Sequence, residues 1–219
     1  MEELSLQVTM IKALPLSFGI QRKLTSLRLG YSLIGRLPSS ITNLTQLGHM
    51  RLDGCKKLQT IQELPPFLAA LDVQACTFLQ TLSNLPPFLE TLNARDCVSL
   101  KTVLLFPSMA DKQLKGIMKR VLFWNGLDLD EYSLVAIGLS AKINLMKISN
   151  QHLYTPNHNH ENYNYNDDNH RSYQAVYGYP GSSVPEWLEC KTIKGYVIID
   201  LSSAPPSPLL GFILCFVLG

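Results

Sequence analysis

No block of lysine and arginine interrupts this sequence, and charged residues of either sign make up only 16% of its 219 residues. With 19 basic and 17 acidic residues the net charge is +2. Nucleic-acid binders gather positive charge into a patch or stripe, so general nucleic-acid binding is not expected. Long apolar runs are equally scarce. The longest, Leu209 to Leu218, spans ten residues, about half of what a helix needs to cross a bilayer, so no membrane partner is expected. The opening MEELSLQVTM lacks a basic segment leading into an apolar one, and no secretory leader is expected. Cysteines number five, an odd count with no C-x-x-C pair, which supports neither a secreted disulfide framework nor a zinc site. Also missing are G-x-x-x-x-G-K-S/T, G-x-S-x-G and H-E-x-x-H, so neither a nucleotide cradle nor hydrolytic machinery is expected. These absences predict a non-enzymatic protein without cofactor, in a soluble, reducing compartment such as the cytoplasm.

What the sequence does have is leucine at fixed intervals. Residues 47–109 can be written as three lines: LGHMRLDGCKKLQTIQELPPF, LAALDVQACTFLQTLSNLPPF and LETLNARDCVSLKTVLLFPSM. Leu47, Leu68 and Leu89 open them 21 residues apart, and Cys55, Cys76 and Cys97 keep the same step. Each fits L-x-x-L-x-L-x-x-C-x-x-L, a leucine-rich-repeat pattern. Two further lines precede them at intervals of 23 residues, from Leu24 and from Met1, carrying Leu37-Pro38 and Leu14-Pro15. The expected fold is an α/β-type leucine-rich-repeat solenoid over residues 1–109, because one line cannot bury its own apolar side and stacked lines can.

In each line the L-x-L core predicts a short strand, its leucines inward and the intervening residues on the open concave side. Arg28, Arg51, Asp72 and Asn93 then form one column. Ser26, His49, Ala70 and Thr91 precede it, and Gly30, Asp53, Gln74 and Arg95 follow it. If this face binds a partner, the candidate contacts are Arg28, Arg51, Asp53, Asp72, Asn93 and Arg95. Thr9, Ser32, Cys55, Cys76 and Cys97 fall where each chain turns back, all small and able to hydrogen-bond. A structural thiol ladder is favoured there over disulfides or metal. The Pro65-Pro66 and Pro86-Pro87 pairs fix extended segments on the convex side, predicting a mostly irregular outer surface without helix.

From Asp111 the character changes. Residues 110–150 are expected to form a capping or linker region, with an apolar patch at 121–124, a turn at Asn125-Gly126 and a helix from about 130 to 150. Residues 151–171 are a low-complexity loop rich in Asn, His and Tyr. Its His152, His158, His160, His170, Asp167 and Asp168 make no expected metal site, because a loop of this composition fixes no ligand geometry. Residues 172–219 contain β-branched and proline-punctuated segments that predict strands.

The lines of the form L-P-P-F-L-x-x-L-x-x-x-x-C-x-x-L, then a helix, then P-G-S-S-V-P-E-W-L and L-L-G-F-I-L-C-F-V-L, resemble the C-terminal part of plant intracellular immune receptors. These are the TIR-NB-LRR disease resistance proteins, in which a jelly-roll/Ig-like domain, the C-JID, follows the repeats. The motif stands here as Pro180, Gly181, Ser182, Ser183, Val184, Pro185, Glu186 and Trp187. The chain departs from the family pattern at Gly126, where a cysteine is frequent, and ends after about the first third of the C-JID, an incomplete all-β sandwich. The resemblance implies a ligand-sensing portion that recognises a pathogen effector or a guarded host protein, with the nucleotide-binding domain of a full-length receptor as another partner. It implies no metal. The alternative is a truncated paralogue, gene fragment or decoy without signalling activity.

Overall fold

The computed structural model describes residues 2–104, 120–123, 125 and 128–139 and the strand at 176–178. The leucine period becomes a ladder of parallel strands. Strands β1 (Glu3–Ser5), β2 (Ser26–Arg28), β3 (His49–Arg51), β5 (Ala70–Asp72) and β7 (Thr91–Asn93) follow one another in the sheet, one per line. Their central residues Leu4, Leu27, Met50, Leu71 and Leu92 are in register. The chain is therefore a parallel-strand solenoid of about five turns, consistent with leucine-rich repeats. Leu27, Leu29, Leu52 and Leu71 are almost wholly removed from water. Each turn packs only on its neighbours, so that core is continuous from line to line.

The two lengths of line have different outer sides. In the 23-residue lines Pro15 and Pro38, at φ −69° and −71°, lead into short 3-10 helices over Leu16–Ile20 and Ser39–Asn43. The 21-residue lines lack the length for them. There the convex side is mostly irregular, as expected, with one regular feature added: β4 (Thr60–Ile61), β6 (Thr81–Leu82) and β8 (Thr102–Val103) form a second parallel ladder. Each pairs a half-buried threonine with a buried aliphatic residue, a fit that β-branched residues favour.

The sheet also runs past the expected end of the repeats at 109. Strand β9 (Arg120–Leu122) pairs with β7, aligning Val121 with Leu92. Phe123 follows Ala94 in the inward column, and both are fully buried. The patch expected as linker is thus a sixth rung, drawn in because β7 would otherwise leave an open, apolar edge. Strand β10 (Val176–Gly178) adds to β9, also parallel. Three residues expected in a separate sandwich therefore extend the solenoid's sheet.

Residues 131–139 are α-helical. Asp130 caps them: its carboxylate accepts from the Ser133 amide at 2.7 Å and from the Thr102 hydroxyl at 2.9 Å. The hydrogen bonds from Ser133 hold its carboxyl below the ordinary carboxylate range. The Ser133 hydroxyl accepts from the Val103 amide at 2.8 Å, so the cap ties the helix to β8 and covers the end of the convex ladder. The helix start matches the sequence expectation. The remainder of the predicted helix to residue 150, the 151–171 loop with its histidines, and the motif from Pro180 to Trp187 lie outside the described residues.

Candidate functional site

The concave face is built by register. Ser5, Arg28, Arg51, Asp72, Asn93 and Leu122 lie side by side on successive strands, with neighbours ~4.8 Å apart. The buried leucines on either side hold the backbone, so the outward residues are free to carry chemistry without carrying the fold.

Turns four and five are closed among themselves. Asn93 Nδ2 donates to Asp72 Oδ1 at 3.1 Å and to Gln74 Oε1 at 3.2 Å. Arg95 donates from Nη2 to Gln74 Oε1 at 3.1 Å and from Nε to Asn93 Oδ1 at 3.1 Å. The Gln74 amide donates to Asp72 Oδ1 at 3.0 Å. Gln74 was not among the candidate contacts, yet it joins Asn93 to Arg95. Its place in one column with Asp53 and Arg95 was the only sequence signal for it.

Turns two and three are looser. Arg51 stands between two carboxylates, Nε 3.7 Å from Asp53 Oδ1 and Nη2 3.8 Å from Asp72 Oδ2, distances of ion pairing rather than hydrogen bonding. Its side chain is half exposed. Asp53 is seated on Gly30, where an added Cβ would meet Oδ1 at 2.6 Å. That oxygen is buried and accepts no hydrogen bond among the described residues. Arg28 is exposed and makes no ion pair or side-chain hydrogen bond among the described residues. All six candidate contacts thus lie on one face. Asp72, Asn93 and Arg95 are joined by hydrogen bonds, Arg51 bridges Asp53 and Asp72 by charge alone, and Arg28 stands apart.

The thiols form the other ordered polar column. Cys55, Cys76 and Cys97 are buried and free, and each S–H donates to the carbonyl of the residue just after the strand in the preceding line: Leu29, Leu52 and Val73, at 3.2, 3.1 and 3.1 Å. The Ser32 hydroxyl lies 3.5 Å from Cys55 Sγ and extends the column. Burial, reinforced by the neighbouring Cys97 and Cys55, pushes the Cys76 thiol far above the ordinary range. Burial likewise pushes Cys97 up to about 12. These are the wrong properties for a nucleophile, which needs an exposed thiolate.

The sign of the linkage follows. A raised folded-state pKa means the native state keeps protons that the unfolded chain gives up. That contribution is complete below the ordinary thiol range near 8.5 and is lost as pH climbs toward about 12. The urea midpoint is therefore expected to fall between about pH 9 and 11, and a Cys76→Ser, Cys97→Ser variant should show a flatter profile. Equal slopes for the two proteins would contradict this. Among the described residues no group of His, Cys, Asp and Glu could hold a metal ion, and no helix is long and apolar enough to cross a membrane. No known family model matches the chain, and no curated protein matches it either.

Proposed function

We propose that this chain is a protein-interaction module: the ligand-sensing portion of a plant intracellular immune receptor of the TIR-NB-LRR kind, working in the cytoplasm or between cytoplasm and nucleus. It recognises a pathogen effector or a guarded host protein through its concave face, and it carries no catalysis of its own. The observation that supports this best is the in-register polar column Arg28, Arg51, Asp72 and Asn93 laid over an apolar core. Such a surface presents charge at fixed spacing on a rigid base, which gives specificity and fast association. The immune assignment rests on the resemblance in the Pro180–Trp187 motif and in the L-P-P-F lines. On this reading residues 172–219 belong to a C-JID.

The test is a binary-interaction screen of pathogen-secreted proteins against the full chain, repeated with Arg51→Asp, Asp72→Arg. The double reversal keeps opposite charges facing each other while inverting the displayed field. A partner recovered with the wild type is expected to be lost with this variant. Thermal stability should drop by no more than about 2 kcal/mol, from the Asp72 hydrogen bonds. Partners that bind both proteins equally would remove the concave face from the reading.

A further inference from the structure

The two halves of the concave face differ in how far their hydrogen-bonding capacity is used. In turns four and five, Asp72, Gln74, Asn93 and Arg95 exchange bonds of 3.0–3.2 Å among themselves. In turns two and three the cations are left open. Arg28 has no partner among the described residues, and Arg51 reaches its carboxylates only at 3.7 and 3.8 Å. A guanidinium has five N–H donors in a planar fork. Arg28 and Arg51 are paired in register, and like charges directly opposite each other oppose sheet formation. Of Arg51's two carboxylates, Asp72 comes from turn four, on the side away from Arg28, and Asp53 comes from Arg51's own turn and lies over Gly30 of turn two; neither pairs with Arg28. On its other side Arg28 faces Ser5, a hydroxyl rather than an acid. Along its own turn it is flanked by buried Ser26 and by Gly30, over which the Asp53 carboxylate lies. His49, exposed on β3, lies one position away.

We propose that an acidic segment of a protein partner docks here, with an aspartate or glutamate carboxylate held by the Arg28 and Arg51 guanidinium forks. The inference rests on the concave face being the binding surface and specifies what it binds. The carboxylate supplies the countercharge that Arg28 lacks and the close hydrogen bonds that Arg51 does not make with Asp53 and Asp72, and planar forks suit carboxylate oxygens bidentately. A nucleic-acid backbone fits less well, because phosphate tracking uses a run of cations and this column changes sign at Asp72. The self-bonded turns four and five act as a preorganised flank with few donors left to give.

Fluorescence anisotropy on the full chain tests this with three labelled probes of equal length: a Glu/Asp-rich hexapeptide, a Lys-rich hexapeptide and a single-stranded hexanucleotide. The acidic peptide is expected to bind in preference, more weakly as salt is raised. Arg28→Ser and Arg51→Ser should each weaken it by about tenfold, and Arg22→Ser, an exposed control outside the strand column, by less than about twofold. The Arg28 side chain makes no ion pair or hydrogen bond among the described residues, so its variant reports on binding even where Arg51→Ser perturbs the fold. Equal binding of acidic and basic peptides, equal losses in the control, or tighter binding of the oligonucleotide would each overturn the acidic-partner assignment. A screened partner that is lost with Arg51→Asp, Asp72→Arg yet indifferent to Arg28→Ser would overturn it and leave the concave-face reading standing. Loss of that partner only on Lys56→Ser, Lys57→Ser, away from the strand column, would overturn the concave-face reading itself.

Discussion

Leu71→Ala is expected to lower unfolding free energy by about 2–5 kcal/mol, the range for a fully buried leucine that leaves a cavity. Leu71 is 1% exposed and lies between Met50 and Leu92 in the ladder, so the missing atoms are lost to two neighbouring turns at once. A solenoid cannot relax such a gap from elsewhere, since each turn touches only the next. Leu4→Ala removes the same atoms from the first strand, where Leu4 is only partly buried and pairs on one side, with Leu27. Its cost should be less than half as large. Urea denaturation of both variants decides the matter. Equal losses would mean that the turns do not share one stacked core.

That contrast rests on features the sequence made legible. The leucine period alone placed Leu27, Met50, Leu71 and Leu92 in one register, because a strand of period two leaves no other arrangement that buries L-x-L. The concave columns followed from the same step. Several things did not follow. The sixth rung has valine and phenylalanine where the pattern wants leucine, so Val121-Leu122-Phe123 reads as a patch with no frame. The convex ladder is two residues deep per turn, too short for alternation to show. At the site, the sequence supplied the row Arg28, Arg51, Asp72, Asn93 but not who bonds whom. The hydrogen bonds that close Asn93, Gln74 and Arg95 upon one another depend on side-chain rotamers. Those rotamers separate the open cations from the satisfied ones.

The turn that precedes the thiol column was the least legible feature, and it carries the other large effect. Val8, Tyr31, Gly54, Ala75, Asp96 and Asn125 occupy equivalent places in six successive turns, all with φ between 50° and 70°. The left-handed conformation lets the amides of Val8, Tyr31, Gly54 and Ala75 reach the carbonyls of Gly30, Asp53, Gln74 and Arg95 in the next line. Only one of the six is glycine. Gly54→Ala is expected to destabilise by about 2–5 kcal/mol. Left-handed backbone costs an L-residue roughly 1–2 kcal/mol, and overpacking adds about 1–3 kcal/mol, because the new Cβ would lie 2.6 Å from the Tyr31 ring. The two contributions can be separated. In a Tyr31→Ala background the ring is gone, so Gly54→Ala should cost only about 1–2 kcal/mol, a coupling that a double-mutant cycle reads directly. Ala75→Gly, one turn along at φ 57°, should have the opposite sign. It relieves backbone strain of about 1–2 kcal/mol and returns roughly 0.4–1 kcal/mol through the freer unfolded chain, for a net gain of about 0.5–1 kcal/mol. A loss of stability at Ala75→Gly would show that the entropy of the freer unfolded chain outweighs backbone strain at this turn, and that glycine at residue 54 answers to the Tyr31 ring alone.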